Sequence, residues 1–113
     1  RTNSTKGLSK ESLIQWAQEI GNKYGIKVTN ITSSWSNGLM FCALIDYYEP
    51  GKLGVDFKSL NPNNGLENIR LAFKIFDELG IPNYLDPEDA GKEPLSMMTC
   101  LCGLYKVKYI FKT

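Results

Sequence analysis

Trp35-Ser-Asn-Gly-Leu-Met-Phe-Cys-Ala-Leu-Ile-Asp-Tyr-Tyr48 is the stretch that decides the fold. From Leu39 to Ile45 every residue is apolar or small, and a helix that is apolar on all sides is stable only with neighbours on all sides. The stretch is therefore expected as a buried central helix. Ser36 and Asn37 offer the oxygen acceptors that unpartnered first-turn amides need. A buried strand is the competing reading, because a short apolar run does not separate the two by periodicity. Met40, Ala43 and Leu44 favour the helix, and β-branched residues are nearly absent.

On the amino-terminal side, Leu13, Trp16, Ala17, Ile20 and Tyr24 recur at helical spacing. Ser9 is the expected cap, Leu8 and Leu13 are spaced as a hydrophobic staple, and Gly25 is the expected left-handed stop. The opposite face is polar: Glu11, Ser12, Gln15, Gln18, Glu19, Asn22 and Lys23. Val28 and Ile31 are expected to tuck under the central helix, and Trp35 to close the core above it.

On the carboxy-terminal side, Pro50-Gly51 ends the central helix. Phe57 and Leu60 are expected anchors of the connector. Asn64 with Glu67 resembles a capping pair that starts a third helix, with Leu66, Ile69, Phe73, Phe76 and Leu79 as its stripe and Gly80 as its end. Ile81-Pro82 breaks the chain, and Asp86-Pro-Glu-Asp89 has the grammar of one short helical turn. Pro94 opens the last helix, with Leu95, Met98, Leu101, Cys102, Tyr105 and Tyr109 on one face. The expected architecture is all-α, with four main helices joined by long anchored connectors around the central helix. Residues 1–8 read as a linker or flexible arm, and residues 9–113 as a single domain.

Composition agrees with one domain: 113 residues, of which 42% are hydrophobic and 22% charged. No apolar run approaches the roughly 18 residues that a bilayer span requires, and no basic-then-apolar leader opens the sequence, so a soluble intracellular protein is the expectation. Cys42, Cys100 and Cys102 lie in apolar helical patterns and do not read as a disulfide framework. The chain has no histidine. That removes the commonest general base and leaves a zinc site short of ligands, so no catalysis, metal or cofactor is expected. Asp77 and Glu78 sit at an exposed helix end, while Asp86, Glu88 and Asp89 are read as capping groups. The basic residues are scattered and give no nucleic-acid signature.

Several separated motifs, in order, resemble a calponin-homology domain. They are Leu13-Ile-Gln-Trp16-Ala-Gln18, then Val28-Thr-Asn30-Ile31 through Ser34-Trp35-Ser-Asn37-Gly38-Leu39, then Leu60-Asn-Pro62 and Leu66-Glu-Asn68-Ile-Arg-Leu71-Ala72-Phe73. Leu79-Gly-Ile-Pro82, Leu85-Asp86-Pro-Glu88-Asp89 and Met98-Thr99 continue the likeness, which covers nearly the whole chain from Leu8 onward. Trp16 with Gln18, and Ser34-Trp35 before Asn37-Gly38-Leu39, make it most similar to the second domain of the tandem actin-binding region of alpha-actinin, spectrin and filamin-type cross-linkers. The resemblance implies a compact globule of four main helices with short connecting ones. It also implies association with F-actin, alongside an adjacent calponin-homology domain in the same chain, with weak binding alone, in the cytoplasm and on the cytoskeleton. Carried over, the contact surface is Lys10, Glu11, Gln15, Gln18, Asn22 and Lys23, while Trp16, Trp35, Leu39 and Phe73 belong to the core. A solitary adaptor of this fold, docking on another protein or on microtubules, is the other reading.

Two departures from the resemblance matter. Cross-linkers of this type often carry a basic stretch after the central helix that is associated with phosphoinositide binding. Here the matching positions read Asp46-Tyr-Tyr-Glu49, which discounts attraction to anionic headgroups. The segment from Lys106 to Lys112 is more basic than the resemblance leads one to expect.

Overall fold

The computed structural model describes residues 9–81, 83 and 85–112, with side chains up to Lys106. The expected arm at residues 1–8, the Leu8 half of the staple, the Pro82 break and the placing of Tyr109 fall outside the described residues. Four α-helices carry the fold: α1 Lys10–Gly21, α2 Leu39–Tyr48, α3 Gly65–Glu78 and α4 Pro94–Lys112. Single 3-10 turns at Asn22–Tyr24, Ser33–Trp35, Phe57–Ser59 and Pro87–Asp89 punctuate the connectors. The architecture is all-α.

α1 starts at a reciprocal cap. The Ser12 amide donates to Ser9 Oγ at 3.1 Å, and the Ser9 amide donates to Ser12 Oγ at 2.9 Å, so two orphan donors are satisfied at once. Leu13, Trp16, Ala17 and Ile20 are buried on its inner side. The chain then tightens into the 3-10 turn and stops at Gly25, whose φ of 72° is the left-handed stop its sequence position calls for.

α2 is the centre of the molecule. Met40, Phe41, Cys42, Ala43, Leu44 and Ile45 are all buried, each large side chain contributing about 1.5–3 kcal/mol of apolar burial. Leu39 departs from the expectation. It is the first residue of the helix, where the chain still faces the surface, and it is only half-buried and outside the core cluster. The helix start also differs in detail: Asn37 Oδ1 accepts from the Leu39 amide at 3.0 Å, whereas the Ser36 hydroxyl turns back to donate to the Ser33 carbonyl. The cap position itself is Gly38, left-handed at φ 77°.

That glycine fixes how α2 meets α3. A Cβ at Gly38 would sit 2.7 Å from both Asn68 Cβ and the Ile69 nitrogen, so the two helices approach to a distance only a missing side chain permits. Ile69, Ala72, Ile75 and Phe76 form the buried side of α3. Phe73 is half-buried and packs from the edge of the core on Phe41, ring centroids 5.2 Å apart. Trp35 is fully buried against Phe41, and its indole Nε1 donates to the Asn30 carbonyl at 3.0 Å.

Two expected caps do not form. Asn64 makes no side-chain cap bond to α3, and Asp86 makes none to its 3-10 turn. Glu88 instead pairs with Arg70 on α3 at 3.1 Å, in a solvent-exposed bridge of little stabilising value. The cap of α4 is Glu93, whose carboxylate accepts from the amides of Ser96 at 2.8 Å and Leu95 at 3.2 Å. Of the expected face of α4, Leu101 is buried and Met98, Cys102 and Tyr105 pack half-buried against the core, and Leu95 alone among its described members does not. Met97, Leu101 and Leu104 enter the core, while Leu95 is 76% exposed.

Candidate docking surface

The outer side of α1 and the turn after it present Lys10, Glu11, Gln15, Gln18, Asn22 and Lys23, and all six are exposed. Glu11, Gln15, Gln18 and Asn22 recur at i, i+4, i+7 and i+11, so they form one stripe. Lys10 stands at the first helical position and Lys23 in the 3-10 turn, about 20 Å apart at helical rise. The stripe owes its rigidity to the other side of the helix, where Leu13, Trp16, Ala17 and Ile20 are locked in the core.

Gln18 is not simply solvated. Its Nε2 donates to the Val28 carbonyl at 2.9 Å and so pins the loop after Gly25 to α1, with Val28 itself buried beneath. The Ile26 amide donates to the Gly21 carbonyl at 2.9 Å and closes the same corner. Of the six residues, Gln18 therefore shapes the surface as well as lying on it. Spacing alone gives no hint of this.

Trp16 joins this surface to the end of α2. Its indole Nε1 donates to the Tyr48 hydroxyl at 2.8 Å, and its ring meets Tyr105 of α4 edge-on at 5.3 Å. Nearby, the Tyr24 hydroxyl donates to Asp46 Oδ2 at 2.8 Å. Burial, reinforced by that carboxylate, holds the Tyr24 hydroxyl protonated well above the ordinary tyrosine range. The segment Asp46 to Glu49 thus holds a carboxylate engaged with tyrosine.

The chemistry on offer is hydrogen bonding and charge on an exposed helix face. Among the described residues, no group of three or more His, Cys, Asp or Glu side chains is placed to hold a metal ion. Burial pushes the thiols of Cys42 and Cys100 up to about 12, so both are protonated at neutral pH. No helix of the described residues is long and apolar enough to cross a membrane.

Sequence reasoning missed two polar residues that organise the starts of α2, α3 and α4. Asn68, 5% exposed, donates through Nδ2 to the carbonyls of Asn37 at 3.0 Å and Asn61 at 2.8 Å. A polar residue beside the apolar Ile69 on an inward helix face was the available signal. Glu93 could have been found as a capping carboxylate immediately before Pro94, three residues ahead of Ser96.

The arrangement is a helical globule built on a buried central helix, with a polar first helix turned outward. The family model of the calponin homology (CH) domain matches residues 8–110, and the chain belongs to that family. Interaptin of Dictyostelium discoideum is 40% identical over 100 residues, covering 86% of this chain and 6% of interaptin. Microtubule-actin cross-linking factor 1 of Rattus norvegicus is 37% identical over 101 residues, covering 86% of this chain and 2% of that protein. The non-erythrocytic spectrin beta chain 5 of Homo sapiens is 41% identical over 102 residues, covering 86% of this chain and 3% of the spectrin chain. This chain therefore spans only a small part of the length of each of these relatives.

Proposed function

We propose that this chain is an actin-filament-binding module of a cytoskeletal cross-linking protein, non-enzymatic, working in the cytoplasm beside a preceding domain of the same type and binding weakly alone. The observation that carries this reading is the exposed stripe Lys10, Glu11, Gln15, Gln18, Asn22 and Lys23, backed by a fully packed inner face. A rigid polar surface with cations at both ends suits an acidic filament. Family membership and likeness to a protein named for cross-linking microtubules and actin support the choice of filament. The engaged Asp46 carboxylate, where such cross-linkers are often basic, speaks against anionic lipid as the partner.

The test is co-sedimentation with F-actin at low salt, where attraction between exposed charges is least screened. The domain joined to its preceding partner is expected to pellet with filaments, and the isolated domain to pellet weakly. A tandem that leaves filaments untouched removes the reading. The name of the same relative also includes microtubules, so a microtubule pellet is the parallel arm. Binding there and not to actin favours a solitary adaptor of this fold.

A further inference from the structure

Asparagine stands before glycine twice in this chain, at Asn37-Gly38 and at Asn64-Gly65. In that pairing the backbone nitrogen reaches the preceding carboxamide most easily, because glycine has no Cβ to block the approach. The fold treats the two pairs differently.

Both partners of the first pair are held. Asn37 Oδ1 accepts from the Leu39 amide at 3.0 Å, and the Asn37 carbonyl accepts from Asn68 Nδ2 at 3.0 Å. The nitrogen that would attack is occupied as well, since the Gly38 amide donates to the Trp35 carbonyl at 3.1 Å and Gly38 is buried. Asn64, by contrast, is exposed, and its side chain makes no cap bond to α3. Gly65 is the first residue of that helix, so its amide has no partner inside it, and among the described residues it donates to no backbone carbonyl outside it. The positive end of the helix also favours negative charge on that nitrogen as it loses its proton. Ring closure requires the Asn64 ψ of 49° to rotate, and the 2.9 Å bond from the Asn68 amide to the Asn64 carbonyl resists that rotation. This is the first bond of α3, where helices fray.

We propose that Asn64 is a site of spontaneous deamidation, and that the fold shields Asn37 from the same reaction. The Gly65 nitrogen loses its proton and bonds to Asn64 Cγ, the bond from Cγ to Nδ2 breaks, and ammonia leaves. Water then opens the five-membered imide at either carbonyl, giving aspartate or isoaspartate. Aspartate sets a carboxylate at the positive end of α3 and is tolerated. Isoaspartate adds a methylene to a backbone without slack, because a Cβ at Gly65 would already lie 2.9 Å from the Ser36 carbonyl oxygen. The isoaspartyl chain is therefore looser where α2 meets α3.

The test is to age the folded chain for weeks at mildly alkaline pH and digest it with trypsin. Cleavage after Lys27, Lys52, Lys58 and Arg70 leaves Asn37 and Asn64 in different peptides. Mass spectrometry is expected to find the mass gain of an amide turned to an acid at Asn64, with Asn37 at least about tenfold slower, because more than one hydrogen bond must open there first. A chain unfolded in urea is expected to lose that difference, since the fold alone separates the two pairs. The isolated isoaspartyl form is expected to melt below Asn64→Asp, which supplies the other product directly. Asn64 left intact in the folded chain, or Asn37 reacting as fast, overturns the proposal. So does a difference that survives in urea, which would assign it to the neighbouring sequence. Equal melting of the two products overturns the loosening of the junction.

Discussion

Asn68 Nδ2 donates to the carbonyl oxygen of Asn37 at 3.0 Å, across 31 residues of sequence, and so ties the start of α2 to the first turns of α3. Its second hydrogen on the same nitrogen goes to Asn61 at 2.8 Å, so one side chain holds three segments. Asn68→Ala leaves two carbonyls without this donor in a site that water barely reaches. A loss of about 2–4 kcal/mol is expected, read from the urea midpoint. Asn68→Asp is expected to be as damaging, because a carboxylate cannot donate. A variant as stable as the parent contradicts this role.

Gly38 and Gly25 make a matched pair. Both are left-handed, at φ 77° and 72°, but a Cβ at Gly38 meets α3 at 2.7 Å and one at Gly25 meets nothing within 4 Å. Gly25→Ala is expected to cost about 1 kcal/mol from backbone strain alone. Gly38→Ala adds a clash with backbone that has nowhere to move, and is expected to cost at least about 3 kcal/mol. Equal thermal midpoints for the two variants would sink the argument.

Gln15 and Gln18 share the outer stripe but differ in role. Gln18→Ala removes the bond to Val28 and is expected to lower stability by about 1 kcal/mol, whereas Gln15→Ala is expected to leave it unchanged. Hydrogen exchange at the amides of residues 26–31 checks this: it should quicken only in Gln18→Ala.

The Glu93 carboxyl is held below its ordinary value of 4.5, first by the Ser96 amide, then by the Ser96 hydroxyl and the Leu95 amide. A carboxyl depressed by folding stabilises the fold above its unfolded value, and that contribution is lost as pH falls through the folded value. Glu93→Gln is therefore expected to lower the thermal midpoint at pH 7. The difference from the parent should shrink as pH drops below about 4.5. A difference that does not change with pH would mean the carboxylate charge is not what caps α4.

Lys10→Glu with Lys23→Glu reverses both cations of the proposed filament surface. In the tandem, a fall of several-fold in F-actin co-sedimentation at low salt is expected, with an unchanged thermal midpoint because both side chains are exposed. Unchanged pelleting would move the contact off α1.

Much of the architecture was legible because it is written in local rules. The Ser9 cap, the Gly25 stop and the uniform apolarity of Met40 to Ile45 each follow from backbone geometry and water avoidance within a few residues. The polar stripe on α1 was legible for the same reason. Leu39 and Leu95 were misjudged, because each stands in the first turn of its helix, where periodicity does not say how far the neighbours reach. The Asn68 clip and the Gln18 bond were not legible, since their acceptors are carbonyls of distant or irregular segments that no side-chain pattern marks.

By itself, the sequence determined that the chain folds into helices around the run after Trp35 and turns a polar first helix outward, because helical periodicity and the exclusion of apolar surface from water act locally. Only the tertiary structure decided that Met97, Leu101 and Leu104 are the α4 residues in the core, that Phe73 and Leu39 stop at its edge, and that Asn68 and Gly38 together set the meeting of α2 and α3. Those outcomes depend on close packing between segments far apart in the chain, where a few tenths of an ångström select one neighbour over another.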